Sequence, residues 1–317
     1  MTEEYKTAIT DEQKQLIKSE LGIDPDSELL SPMVDFIFKR IFTSDEKSSK
    51  GALIDFVNCI LEFEGDCKIV DLTVVNPQIP VVNKTHKQSI FDIRAVCENG
   101  EQIVIEMQRG KMKDFKQRAQ YLLSKAYAGQ SISGEKYRML KRCYLVCITD
   151  FDVIKGIKEP VVDYRYRDRQ GNDLTSDETI VFLDLTKLVC VLNKNVSDMT
   201  GLEQWAVFIK HATDNIKLVN KIAEEREGIK MARSILREIS SDDVARAQYE
   251  SELIYQLDYN SRMGDAWEDG MEIGIEKGKI ANAIENAIEM AEADFSFDMI
   301  KRITKLPDEE ITRIMNR

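Results

Sequence analysis

Within the stretch FDIRAVCENGEQIVIEMQRG, residues 91–110, two acids and an amide stand among residues that otherwise suit a protein core: Asp92, Glu106 and Gln108. Two carboxylates and a carboxamide gathered on one surface make an oxygen-rich donor set. Mg²⁺ and Mn²⁺ take such donors, one or two carboxylates at a time, and complete their shells with water and phosphate oxygens. A cation held there lowers the pKa of a bound water and offsets charge developing on a phosphate. The backbone carbonyl of Met107 is a further possible ligand.

Turn geometry decides whether the two acids meet. The stretch reads as two alternating strands around Glu98-Asn99-Gly100. A two-residue turn at Asn99-Gly100 sets Asp92 opposite Met107, on the other face from Glu106. A type I turn at Glu98-Asn99, with Gly100 as a left-handed bulge residue, sets Asp92 opposite Glu106 instead. The hydrophobic pattern favours the bulged form. It collects Phe91, Ile93, Ala95, Cys97, Ile103, Ile105 and Met107 on one face, and Asp92, Arg94, Gln102, Val104, Glu106 and Gln108 on the other. A slip of one residue would mix the two classes. Directly opposed side chains have Cβ atoms roughly 4.5–5.5 Å apart, and opposed carboxylates repel unless a cation or proton lies between them. The bland alternative is a wet outer face of an antiparallel sheet, which requires no chemistry.

The elements that must carry this hairpin follow from periodicity. Residues 1–30 are acidic and predict one solvent-facing helix and a loop. Ser31-Pro32 predicts the start of a helix whose Val34, Ile37, Phe38, Ile41 and Phe42 face a core. A second amphipathic helix is expected over about 50–63, a strand over 68–75, a helix over 114–130, and strands over 143–151 and 179–185. Beyond about 200 only helical patterns remain. The expected fold is α/β, a mixed sheet flanked by helices, with an all-helical C-terminal region. The expected division is an acidic segment 1–30, a core domain 31–200 and a helical region 201–317. Glycines at 270, 274 and 278 suggest either close helix–helix approach or a fraying linker.

Composition narrows the chemistry. In 317 residues there is no apolar run long enough for a membrane span, and the N-terminus is polar and acidic. Six scattered cysteines without a CxxC pair, and two histidines, His86 and His211, argue against a zinc site and for buried, reduced thiols in a cytoplasm. The net charge of −12 argues against general affinity for nucleic acid. Residues 109–142 run the other way, with ten Lys or Arg against two acids, a local net of +8. No glycine-rich phosphate loop and no Ser-His or Cys-His arrangement is evident.

Asp92, followed fourteen residues later by Glu106-Met107-Gln108 and then a basic helix, resembles the PD-(D/E)xK nuclease core, which has a restriction-endonuclease-like fold. Over roughly residues 30–317 the chain more closely resembles the Rpn-type recombination-promoting nuclease and transposase family. The stretches that carry the likeness are DFIFKRIF (35–42), Lys87 before FDI, the ENGEQIVIEMQ hairpin, FKQRAQYLLSKAY (115–127), FLDL (182–185), WAVFIK (205–210) and the glycine-spaced tail.

The resemblance implies a bacterial, Mg²⁺- or Mn²⁺-dependent DNA endonuclease, linked to mobile-element recombination or phage defence. Asp92 and Glu106 become the metal-binding carboxylates, and Asp35 an additional acid from the early helix. Gln108 stands where the wider superfamily usually has lysine. It can orient water or substrate but has no basic nitrogen. Lys87 or Lys39 would then be the electrostatic helpers. Arg109, Lys111, Lys113, Lys116 and Arg118, with Tyr121, would hold nucleic acid, the cations gripping phosphates without reading bases. The alternative is a catalytically inactive nuclease fold that binds nucleic acid or a protein partner. Self-association through the helical C-terminal region is a further expectation.

Overall fold

The computed structural model describes residues 9–44, 47–78, 90–131, 134 and 136–316. In chain order the first elements are α1 (Asp11–Leu21), α2 (Asp35–Thr43), α3 (Lys47–Ile60), β1 (Leu72–Val74), β2 (Ile93–Cys97) and β3 (Gln102–Gln108). Then come α4 (Phe115–Ala128), β4 (Cys143–Thr149), β5 (Val161–Tyr164) and β6 (Glu178–Asp184). Helices α5 (Gly201–His211), α6 (Ile216–Glu225), α7 (Glu227–Ser241), α8 (Asp243–Glu292), α9 (Phe297–Thr304) and α10 (Asp308–Met315) complete the chain. Among the described residues no helix is long and apolar enough to cross a membrane.

The six strands form one mixed sheet in the order β1-β2-β3-β4-β6-β5. β3, β4 and β6 run parallel, and β1–β2, β2–β3 and β5–β6 are antiparallel. β4 is buried along its whole length, as its unbroken apolar run requires of a strand covered on both faces. β5, an edge strand, is absent from the expectations above: VVDY is short, half-exposed and flanked by charge, so it carries no alternation to detect.

The β2–β3 hairpin pairs Ile93 with Ile105, Arg94 with Val104 and Ala95 with Ile103. This is the bulged register. Gly100 has φ +85°, and the Cys97 N–H donates to the Glu101 carbonyl at 2.8 Å. The even-numbered residues do not face water, however. Val104 shares a core with Phe115, Ala119, Leu122, Leu123 and Ala126 of α4 and with Leu145, Cys147 and Phe182 of the next strands. Gln102 and Glu106 are buried with it. Phe91, expected on the opposite face, packs into this same core because the chain bends at Asp92 before β2 begins.

Ser31-Pro32 does not cap α2. It forms a turn in which the Val34 N–H donates to the Ser31 carbonyl, and the helix starts at Asp35. Phe42, Phe56 and Trp205 meet with ring centroids 5.3–5.7 Å apart, tying α2, α3 and α5 together. α1 buries Ile17 and Leu21 rather than lying wholly in solvent.

By contacts the chain forms two compact units, Met1–Glu252 and Leu253–Arg317, and α5 through α7 belong to the first. The second has its own small core of Ala287, Ile300, Leu306, Ile311 and Ile314. Before it, residues 258–282 of α8 are exposed throughout, and nothing lies within 4 Å of where a Cβ would stand on Gly264, Gly270, Gly274 or Gly278. Close packing against these glycines is therefore not made among the described residues. Of the cysteines, Cys97, Cys143 and Cys147 are buried as expected, whereas Cys67 and Cys190 are exposed.

Candidate active site

Asp92 and Glu106 face each other across the mouth of the hairpin, and each accepts a backbone N–H from the other's strand. The Met107 N–H donates to Asp92 Oδ2 at 2.7 Å, and the Asp92 N–H to Glu106 Oε1 at 3.3 Å. The second oxygen of each meets a cation from a helix. Lys39 Nζ of α2 lies 3.1 Å from Asp92 Oδ1 and 2.6 Å from Asp35 Oδ2. Arg118 Nη2 of α4 lies 3.3 Å from Glu106 Oε2. Three elements, α2, β3 and α4, and the bend before β2 thus contribute one chain of charge: Asp35, Lys39, Asp92, Glu106, Arg118.

Burial sets the electrostatics. Glu106 is 4% exposed, and α4 covers it. Burial first, and the Asp92 charge second, push its carboxyl up to about 7 against the opposing pull of Arg118. Asp92 is also raised, by burial and then by Asp35, while the Met107 N–H and Lys39 oppose the shift. For Lys39 burial acts downward, but the pairs with Asp35 and Asp92 outweigh it and the net shift is upward. Beside Glu106 on β4, Cys147 is held well above the usual thiol range, by burial and then by the Glu106 charge. Two carboxylates disfavoured in their charged form, with cations only at their outer oxygens, make a place where a further positive charge is stabilised.

The donor set fits a hard divalent cation. Even-numbered residues of β3 turn their peptide groups to β4: the Gln102 N–H donates to the Arg142 carbonyl, and the Gln108 carbonyl accepts from the Asp150 N–H. Strand alternation therefore turns the carbonyl of Met107, like its N–H, towards the Asp92 side. Two carboxylates and that carbonyl are all-oxygen ligands. Among the described residues no three His, Cys, Asp or Glu side chains are placed to hold one metal ion together, so water and substrate oxygens would fill most of the shell.

The remaining candidates separate. Gln108 lies on the same strand face, but its Nε2 donates to the Gly110 carbonyl at 2.9 Å. Arg109 corrects the expectation of a phosphate ligand: its Nη2 donates to the Leu21 carbonyl at 2.7 Å, its Nε is buried, and burial lowers its pKa. It anchors the N-terminal segment rather than facing solvent. Lys111, Lys113 and Lys116 are exposed. Tyr121 is 41% exposed, with Lys125 Nζ 5.7 Å from its ring centroid. Lys87 lies outside the described residues. The Arg118–Glu106 contact was not expected, although a signal existed. Arg118 is three residues from Phe115 and four from Leu122, which puts it at the margin of the buried helix face.

A family model described as PD-(D/E)XK nuclease family transposase matches residues 32–266. No curated protein and no solved structure matches the chain.

Proposed function

Because the chain belongs to the PD-(D/E)XK nuclease family of transposases, we propose that it is a metal-dependent endodeoxyribonuclease, acting in mobile-element recombination or phage defence. The observation that carries this reading is the pair of buried Glu106 and part-buried Asp92, bracketed by Lys39 and Arg118. Asp92, Glu106 and the Met107 carbonyl would hold Mg²⁺ or Mn²⁺. A bound divalent ion would make water more acidic there and offset charge developing on the scissile phosphate.

The residues of the chain do the rest. Lys39 supplies from α2 the ammonium that Gln108 cannot, and Asp35 holds it in place at 2.6 Å. Arg118 faces the same space from α4 and can pair with a phosphate oxygen once Glu106 is otherwise engaged. Lys111, Lys113 and Lys116 grip the flanking backbone. Association through the helical C-terminal region and a cytoplasmic setting belong to the same proposal.

A second reading has one observation behind it. Gln108 is non-basic and its amide is tied to Gly110, which suits a nuclease fold that binds without cutting. Cleavage of supercoiled plasmid in Mg²⁺ or Mn²⁺ separates the two. Metal-dependent nicking by the wild type, lost by at least two orders of magnitude in Asp92→Ala, is expected. No nicking across metals and salt concentrations would leave only the binding reading.

A further inference from the structure

On the other flank of α4 lies a groove of about 360 Å³. The sheet register relates it to the carboxylates. Across the strands Glu106 is level with Cys147, then Phe182, and Val104 is level with Leu145, Ile180 and Tyr164. All point to the face that α4 covers. β5 ends with Tyr164 opposite Ile180, and beyond it the chain turns into a local pairing of its own, in which the Leu174 N–H donates to the Tyr166 carbonyl. Tyr164 and Tyr166 both line the groove. Both are about two-fifths exposed.

The groove has three kinds of surface. Leu123, Ile180 and Phe182 make an apolar floor, and Phe182 meets the Tyr164 ring edge-on at 6.0 Å. Gln120 and Glu178 add an amide and a carboxylate to its lining, and Lys116 adds a cation, whereas the Arg165 guanidinium pairs with Asp163 at 3.0 Å. Lys116 and Arg118 are two residues apart on a helix and so point to opposite flanks of it: one to the groove, the other to Glu106.

An apolar slot lined by two tyrosines, with an amide, a carboxylate and a lysine beside them, matches a nucleotide. The base has a π-face and exocyclic amino groups, and its phosphate stays outside. A phosphate deep in the groove would meet Glu178, so the base is the part that enters. Three inter-strand spacings and a two-residue offset along the strands put the Tyr164 position about 16 Å from that of Glu106.

We propose that this groove receives an unstacked base of the same DNA strand whose backbone lies at Asp92 and Glu106. The inference rests on the nuclease reading for the course of that strand. It makes the substrate DNA that is single-stranded or locally opened, rather than an undistorted duplex.

The test is fluorescence anisotropy with a labelled dT12 oligonucleotide in Ca²⁺, beside an abasic oligomer of equal length and with free dTMP as competitor. Tyr164→Ala/Tyr166→Ala should weaken dT12 binding about tenfold and leave the abasic oligomer unchanged. Tyr166→Phe alone should keep wild-type affinity, which separates ring stacking from loss of fold. Unchanged dT12 binding in the double variant, an equal loss for both oligomers, or dTMP binding as tightly as dT12 would each overturn the proposal. The same variants in plasmid nicking keep the two readings apart. Asp92-dependent nicking with tyrosine-independent binding sinks the groove alone. Tyrosine-dependent dT12 binding without nicking sinks the nuclease alone.

Discussion

At the scale of single residues, the unusual object is a carboxylate pair whose charge the fold disfavours. Glu106 is raised from its ordinary range to about 7, so between about pH 4.5 and 7 the folded state holds a proton that the unfolded chain has released. Its contribution to stability is fully present below that window and is lost as pH rises through about 7. Metal-free protein should therefore lose on the order of 2–3 kcal/mol between pH 4.5 and 8 from this group. Urea titrations in a chelator at the two pH values would show it, and Glu106→Gln should flatten the difference. A divalent ion should restore stability at the upper pH. Lys39 makes a second test. Lys39→Ala should lower turnover about 100-fold, the scale of a removed electrostatic stabiliser. It should also leave Mn²⁺ affinity equal or higher, because a cation beside Asp92 has gone. Lys39→Arg should recover part of the rate. A Lys39→Ala variant with normal turnover would reduce Lys39 to a partner of Asp35.

Among the elements, the hairpin decides the site. Hydrophobic alternation and one glycine were enough to choose its register, because a one-residue slip would have exchanged every side chain between faces. What alternation could not show was the far side. Val104 alone, among Asp92, Arg94, Gln102, Glu106 and Gln108, gave no sign that α4 would close over that face. Arg109 was misread for a related reason. A basic residue in a basic run looks solvent-facing until the segment it anchors, near Leu21, is in place. Contacts across large sequence separations, such as Lys39 with Asp92, left no local pattern at all. The register is held by Gly100, at φ +85°, where a Cβ would approach Lys141 Cγ to 3.2 Å. The lysine can move aside but the backbone cannot. Gly100→Ala should cost roughly 1–2 kcal/mol, seen as a lower urea midpoint with an unchanged slope. Asp92-dependent metal binding should survive where the fold does.

For the whole molecule, the balance of charge agrees with restraint rather than avidity. A chain of net −12 carries its +8 segment where the candidate site lies, so affinity for DNA should fall steeply with salt. The helical content beyond residue 200 was legible from periodicity. The division of that region was not, because α5 to α7 and the tail are equally helical and differ only in what they pack against. Between residues 258 and 282, α8 has solvent on every side and four glycines in its length. A helix held by little besides its own hydrogen bonds opens in segments far below the cost of global unfolding. Backbone amides there should exchange with deuterium first, and limited proteolysis should nick there before anywhere in β2–β4. The product would be an N-terminal fragment retaining every group named at the carboxylate site, and a C-terminal fragment retaining its small core. A cell could part the two by a single cut.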